Sequence, residues 1–342
     1  MKKTVITGAG GFVGRYVIGE FRARGYRVVA ADIDGNPPEG LPGDVDYRRC
    51  DVTQPDSLKG LFDGADVVVH MAAVVSLTAP PPLMLKVNRD GVENACREAM
   101  RAGAGRFLHF SSASVYGVGS KASSETSPKR PGNLYESTKQ MGEEVARRRH
   151  SEHGLPVTII QPAEIYGPGR TYGEAMGLIM MARAGWSLYP GRADNLIGHV
   201  HVEDAARAAR FLAELPEAEG ETYIVSDNTP IASGEMIRHA ARLMGIPRWR
   251  GPWLHVSPNV IKAAAEIADF ASKLTKTPPL FEKGALRYMF DDFHFDNSKL
   301  LATGFELKYP DYREGVKETI QWIKDNAKKI SHIGPKKTAG KV

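Results

Sequence analysis

The chain has 342 residues, 42% of them hydrophobic, and a formal net charge of +5 at pH 7. That length predicts two domains or one large one, with ample material for a core. No apolar run approaches the roughly 18 residues of a membrane span, and the modest charge, partly gathered from Lys328-Lys329 to Lys341, reads as a solvated tail rather than a nucleic-acid surface.

The first predicted strand, Thr4-Val5-Ile6-Thr7, starts at once after Met1-Lys2-Lys3 and leaves no room for a signal peptide. A helix is expected over Arg15–Arg24, with Val17, Ile18 and Phe21 on one face. Gly8, Gly11 and Gly14 therefore fall in a strand-to-helix turn. Glycine there permits a tight turn, close backbone approach to a pyrophosphate and close helix–strand packing. The helix N-terminus offers free N–H groups to phosphates. The spacing is G-x-x-G-x-x-G, and the Gly-Lys-Ser/Thr ending of a triphosphatase loop is missing. Alone, such a turn is also ordinary packing punctuation. Val28-Val29-Ala30-Ala31 is a second strand, and Asp32 ends it 18 residues after Gly14, about where a carboxylate meets ribose hydroxyls, or else caps the turn-like Asp34-Gly35-Asn36-Pro37 that follows. The residues that follow, Ile33-Asp34-Gly35-Asn36, carry no Arg or Lys, which favours NAD over NADP.

Cys50 and Cys96 are the only cysteines and form no metal pattern. They read as unpaired thiols of a cytoplasmic protein. Pro80-Pro81-Pro82 predicts a stiff loop, either bordering a substrate cleft or serving as a rigid connection. Arg106–Phe110 is an apolar strand emptying into Ser111, Ser112 and Ser114. Ligands of open parallel sheets bind beyond the carboxyl ends of the strands, where a hydroxyl can reach a substrate oxygen. Ser111 and Ser114 read instead as turn caps. Tyr135 and Lys139 are i and i+4 in a predicted helix running to His150, and so share a face. A tyrosine with a pKa of about 10 needs nearby positive charge to serve as an acid or base at neutral pH.

Strands alternating with helices up to about residue 165 predict an α/β fold with a doubly wound parallel sheet. His199 and His201 alternate on a later strand, but no Asp or Cys cluster completes a metal site. Val256–Leu274 is a partly amphipathic stretch, expected either to pack on the substrate domain or to lie at a lipid surface.

From about residue 3 to about residue 325 the chain resembles an extended short-chain dehydrogenase/reductase of the NAD-dependent epimerase/dehydratase and 3β-hydroxysteroid dehydrogenase type. The resemblance rests on Thr7-Gly8-x-x-Gly11-x-x-Gly14, Asp51-Val52, Val69-His70-Met71-Ala72-Ala73 and Val87–Asn94. It continues through Ser111-Ser112-x-x-Val115-Tyr116-Gly117, Tyr135/Lys139, Gln161–Gly169 and His201-Val202-Glu203-Asp204. It implies a Rossmann-type NAD-binding domain of residues 1–166 plus about 197–226. It also implies a substrate-binding domain of about 167–196 plus 227–325, a basic tail over 326–342, a small-molecule substrate and a homodimer. Strands near His199–Val202 and Thr222–Ser226 would then extend the sheet. The resemblance makes Ser112, Tyr135 and Lys139 catalytic. It makes Gly8, Gly11, Phe12, Val13, Gly14, Asp32, Asp51, Val52, Ala72, Ala73, Tyr135, Lys139 and Pro162 cofactor-binding, and Asn88 structural. Two departures are Gln161, where the family usually has Arg, and Glu164, where it has a small or polar residue. Nucleotide-sugar relatives carry an Arg-Asp pair where this chain has Ile197 and Gly198, and Pro278-Pro279-Leu280 through Lys299 resembles sterol dehydrogenases. The expected activity is hydride exchange with a lipophilic secondary alcohol or ketone. The alternatives are a nucleotide-sugar epimerase or dehydratase, and an NAD-sensing regulator without chemistry.

Overall fold

Short aliphatic runs bounded by polar turns form strands here because both faces of a parallel sheet are covered by helices. A computed structural model describes residues 1–76, 79–119, 121–171, 173–183, 188–190, 193–246, 254–257 and 286–327, together with 259–261, 263, 266 and 267. In chain order come β1 (Lys3–Thr7), α1 (Phe12–Ala23), β2 (Arg27–Asp32), β3 (Asp46–Arg49), α2 (Pro55–Leu58), β4 (Val67–His70) and α3 (Pro81–Leu85). A π-helical turn (Lys86–Asp90) then leads into α4 (Gly91–Ala102), β5 (Phe107–Phe110), a 3₁₀ turn (Ala113–Tyr116), α5 (Leu134–His153) and β6 (Val157–Pro162). The second half holds β7 (Glu164–Tyr166), α6 (Glu174–Arg183), β8 (Leu188–Pro190), β9 (Leu196–Ile197), β10 (His199–His201) and α7 (Val202–Glu214). It continues with β11 (Thr222–Val225), β12 (Ile231–Ala232), α8 (Ser233–Leu243) and β13 (Leu254–Val256), then helices at Leu286–Phe290, Ser298–Leu301 and Tyr312–Asp325.

The main sheet runs β3-β2-β1-β4-β5-β6-β11, and all its neighbours are parallel. The order reverses between β1 and β4, which makes the crevice beyond their carboxyl ends the topological switch point. One core lies between the sheet and α1 with α7, through Val17, Ile18, Phe21, Ala205, Ala209 and Leu212. The core on the other face joins Phe62, Val92, Ala95, Ala99, Val145 and Ala146. A third core, away from the sheet, gathers Tyr166, Ile179, Ile197, Ile237, Tyr312 and Ile320.

Some expectations change. Thr222–Val225 does extend the sheet beside β6. His199–His201 does not: it pairs in parallel with β7 in a separate two-stranded sheet. The place beside β6 is taken by β11, and the Ala163 N–H bonds the Val225 carbonyl as the chain leaves β6 for β7. Pro81 opens helix α3 instead of a loop. Proline is suited to a first helical turn, since its missing N–H would have no intrahelical partner there. Of the Val256–Leu274 stretch, only Val256, Ser257 and six helical positions between 259 and 267 are described, with Val260 and Ile267 exposed. The rest, like Pro278-Pro279-Leu280 and residues 328–342, lies outside the described residues. Both cysteines are buried and free. No described helix is long and apolar enough to cross a membrane.

The third core holds an acid in an aromatic setting. The Tyr166 ring lies 4.8 Å from that of Tyr312 and 6.0 Å from that of His199. Asp227 is buried beside them, and neither carboxyl oxygen has a hydrogen-bond partner among the described residues. Burial pushes this carboxyl well above its ordinary range. A carboxyl raised in the folded state holds its proton where the unfolded chain has lost it. Its contribution is therefore full below the unfolded value of about 3.9 and is lost as pH rises through the folded value. Asp227→Asn should remove that slope. Calorimetry should find the variant gaining on the wild type by roughly 2 °C or more in Tm between pH 4 and pH 8. A pH-independent difference would contradict the assignment.

Candidate active site

The glycine turn is shaped by contact with the switch point. Gly8 has φ +71, and a Cβ there would lie 2.6 Å from the Ala72 amide nitrogen. A Cβ on Gly14 would strike the Ala9 backbone, whereas one on Gly11 would meet only the Gly8 carbonyl oxygen, at 3.2 Å. Gly11 caps α1 in an extended conformation with no side-chain cap. Helix α1 therefore begins at Phe12, three residues before the predicted start, and its first N–H groups have no intrahelical partner. Ala72 and Ala73 follow β4 across the crevice, and Phe12 and Val13 form the first helical positions. This cradle fits a dinucleotide pyrophosphate, with backbone donors and a positive dipole end where the negative charge would lie.

Asp32 accepts a hydrogen bond from the Gly10 N–H at 2.9 Å, so its carboxylate sits against the turn. Parallel pairing of β2 with β3 places exposed Arg49 opposite it. This basic neighbour lies 17 residues further along the chain and is absent from the Ile33–Asn36 segment that the sequence argument weighed. Asp51 accepts from the Thr53 N–H at 2.9 Å and the Thr53 hydroxyl at 2.8 Å. Val52 is buried, and its carbonyl takes the Asn94 amide at 3.0 Å.

Tyr135 and Lys139 stand in the first turns of α5, which Asn133 caps by accepting the Glu136 N–H at 2.9 Å. Tyr135 is half-buried. Lys139 is 4% exposed, and its ammonium donates to the Phe110 carbonyl at 2.5 Å, at the carboxyl end of β5. Burial pulls Lys139 down to about 8, while the Glu143 carboxylate acts the other way. Ser112 directly follows Ser111 beyond that strand end. Its Oγ accepts from the Ser114 N–H at 3.2 Å and lies 2.8 Å from Ser114 Oγ. Ser112 is thus the cap of the 3₁₀ turn, a role the sequence reading gave to Ser111 and Ser114. Ser111 instead donates to Glu143 at 2.5 Å. Pro162, buried, closes β6 on the same edge of the sheet.

Around Lys139, Glu143 and Lys129 escaped the sequence reading. Glu143 is fully buried and takes donors from Ser111, from the Gln161 amide at 2.7 Å and from Lys129. It lies one turn beyond Lys139 on the same helix face, a signal the i+4 spacing carried. Gln161 also accepts the Tyr116 hydroxyl at 2.8 Å. Where the family resemblance leads one to expect arginine, glutamine fills a neutral hydrogen-bonding place and Lys129 brings the cation. Beneath them His70 and His109 stack at 5.9 Å. Burial pushes both well below the ordinary imidazole range, His70 to about 3, and the Lys139 charge adds to the effect. Asn88, in the π-helical turn, grips Val74 through both backbone groups and donates to Thr138 at 3.1 Å, which ties the post-β4 loop to α5. Glu164 is paired with Arg170 at 3.6 Å, and Arg170 lies over the Phe12 ring at 5.4 Å. Among the described residues, no group of three or more His, Cys, Asp or Glu side chains could hold a metal ion.

Residues 4–226 match the profile of the NAD dependent epimerase/dehydratase family. The chain belongs to this family. It is thereby an NAD-dependent enzyme of the extended short-chain dehydrogenase/reductase type. It is 28% identical over 92% of its length to a 3beta-hydroxysteroid-dehydrogenase/decarboxylase of Arabidopsis thaliana, of which it spans 61%. It is 29% identical to the ceramide reductase of Caulobacter vibrioides, with 93% of each chain covered. The fold also matches the crystal structure of Thermus thermophilus UDP-glucose 4-epimerase in complex with NAD, with TM-score 0.74, 20% identity and 94% and 99% of the two chains covered.

Two predictions follow from this family site. Since Glu143 holds the Lys139 proton on, Glu143→Gln should let Lys139 lose it at lower pH. The alkaline limb of the kcat/KM profile should move down by half a unit or more, and an unmoved limb would contradict the coupling. With Asp32 as the ribose-binding carboxylate, a 2′-phosphate would be repelled, so the enzyme should prefer NAD(H), and Asp32→Ala, which leaves Arg49 across the strand pair, should move preference towards NADP(H). Paired kcat/KM measurements check both. A wild-type preference for NADP(H) would refute the role given to Asp32.

Proposed function

We propose that the protein is an oxidoreductase of lipophilic secondary alcohols or ketones, with Tyr135 as acid/base, Lys139 as its electrostatic partner and Ser112 as the hydrogen-bond donor to the substrate oxygen. NAD, when bound, supplies the hydride donor or acceptor. The glycine turn with Phe12, Val13, Asp32, Asp51, Val52, Ala72, Ala73 and Pro162 would hold it. Tyr135 passes a proton to or from the substrate oxygen. The Lys139 ammonium stabilises the phenolate, which brings the tyrosine towards neutral pH. The Ser112 hydroxyl, beyond the carboxyl end of β5, orients the oxygen between them. Residues of the third core and the segments around it form the substrate-binding domain in this reading, and the enzyme works as a homodimer.

The substrate class rests on one observation above the others. Ile197, where nucleotide-sugar relatives carry an arginine, is fully buried in the third core and paired with Ile231. Its neighbour Gly198 is bonded through its N–H to the Phe293 carbonyl at 2.8 Å. A diphosphate would find no bidentate, charge-assisted clamp at these positions. The sterol-directed and ceramide-directed names of similar proteins agree with a lipid substrate. The competing reading, a nucleotide-sugar epimerase, draws on the fold match.

A substrate panel separates the two. Hydroxysteroids, ceramide-like lipids or long-chain β-hydroxy compounds should turn over with NAD, whereas UDP- and dTDP-sugars should neither react nor inhibit at millimolar levels. Epimerisation of a nucleotide sugar would reverse the assignment. Tyr135→Phe should lose ~10² to 10⁴-fold in rate at near-normal NAD affinity. Near wild-type turnover in that variant would sink the mechanism.

A further inference from the structure

The segment that follows residue 285 reaches back to the entry of α5. Arg287 donates through Nη1 to Glu136 at 3.2 Å. Glu136 is fully buried, directly follows Tyr135, and also takes the Gly132 N–H at 2.5 Å and the Tyr288 hydroxyl. The Tyr288 hydroxyl further accepts the Asn133 amide at 3.2 Å, on the residue that caps the helix. Two glycines leave room for the guanidinium. A Cβ on Gly132 would fall on the guanidinium itself, and one on Gly117, at φ +73, would lie 3.2 Å from Arg287 Nη2. Gly117 ends the 3₁₀ turn that Ser112 begins, and Gly132 lies three residues before Tyr135. The guanidinium therefore sits between the two backbone segments that carry Ser112 and Tyr135. The Arg130 N–H to Val115 carbonyl bond, at 3.0 Å, already joins the intervening loop to the serine turn. Arg287 carries that connection on to the helix.

The same segment is tied on its other side to the third core. Asn195 donates to the Tyr288 carbonyl at 3.0 Å, and the Leu196 N–H meets the Asp292 carboxylate at 2.9 Å. Leu196 is the first residue of β9, whose second residue is Ile197.

We propose that Arg287 is a positioning residue. Through Glu136 and the two glycines it fixes the Ser112 turn against the Tyr135 helix, and through Tyr288 and Asp292 it sets both against the β9 side of the molecule. This rests on the acid/base reading of Tyr135 given above. A planar guanidinium suits the place: it is thin enough to lie between two glycine backbones, and its fixed fork holds a carboxylate in one orientation. A hydroxyl pair misplaced by about 1 Å can cost on the order of 10² in rate.

The test uses Arg287→Met, Arg287→Lys and the double variant Arg287→Met/Glu136→Gln. The double variant removes the buried carboxylate that the methionine would strand, and so separates misfolding from mispositioning. Each is measured for Tm, for NADH affinity by fluorescence titration, and for kcat and KM across pH with the best alcohol of the panel. The expected result is a folded double variant with NADH affinity within about twofold of wild type, a kcat lower by about tenfold or more, and a shifted pH limb for the Tyr135 proton. Arg287→Lys should recover part of the loss. A kcat within about twofold of wild type in the folded double variant would overturn the proposal. So would a loss that merely follows the fraction of NADH-competent enzyme with an unchanged pH profile. Wild-type turnover in Tyr135→Phe would remove the acid/base reading and this proposal with it. A Tyr135-dependent enzyme indifferent to Arg287 would remove the proposal alone.

Discussion

The burial of one ammonium group organises the site. Lys139 is almost wholly withdrawn from water, and an isolated charge in such a place costs several kcal/mol. The surroundings are arranged to lower that cost without cancelling the charge. The Phe110 carbonyl at the end of β5 accepts one of its hydrogens. Glu143, one helical turn away, offsets part of the burial, and Lys129, Ser111 and Gln161 satisfy that carboxylate in turn. His70 and His109 lie close by, where burial and the lysine together push them towards the neutral form. The result is a cation pulled down to about 8 by burial, four residues after Tyr135 on the same helix.

This constraint explains why the sheet and helix α5 must meet as they do. The Lys139 ammonium meets the Phe110 carbonyl at the carboxyl end of β5, while Asn88 binds the post-β4 loop to α5 through Thr138. The glycine turn is held to the same crevice from the other side, through the contact of Gly8 with Ala72. The glycine turn and the helix that carries Tyr135 and Lys139 thus meet at the carboxyl edge of the sheet.

Much of this was legible along the chain because the signals are local. The glycine spacing, the Asp32 strand end and the i, i+4 relation of Tyr135 and Lys139 each follow from one element's geometry. What the chain concealed depends on tertiary pairing. Arg49 comes beside Asp32 only through the β2–β3 register. Lys129 reaches Glu143 from a loop, and Arg287 reaches Glu136 across 151 residues. His199–His201 looked like another strand of the main sheet, but β11 occupies the place beside β6, and three residues sufficed only to pair with β7. Ser112 was singled out by family pattern, yet its capping of the 3₁₀ turn required the backbone to be seen.

The central claim is that this site exchanges hydride with the carbon of a lipophilic alcohol or ketone while Tyr135 handles the oxygen's proton. The most direct measurement is a single turnover of the lipid ketone with NADH deuterated at the transferring C4 position, followed by mass analysis of the product. The account predicts an alcohol carrying deuterium on the carbinol carbon, formed at the wild-type rate only with Tyr135 present. A deuterium-free product, or no reduction of any lipid ketone alongside epimerisation of a UDP-sugar, would contradict it.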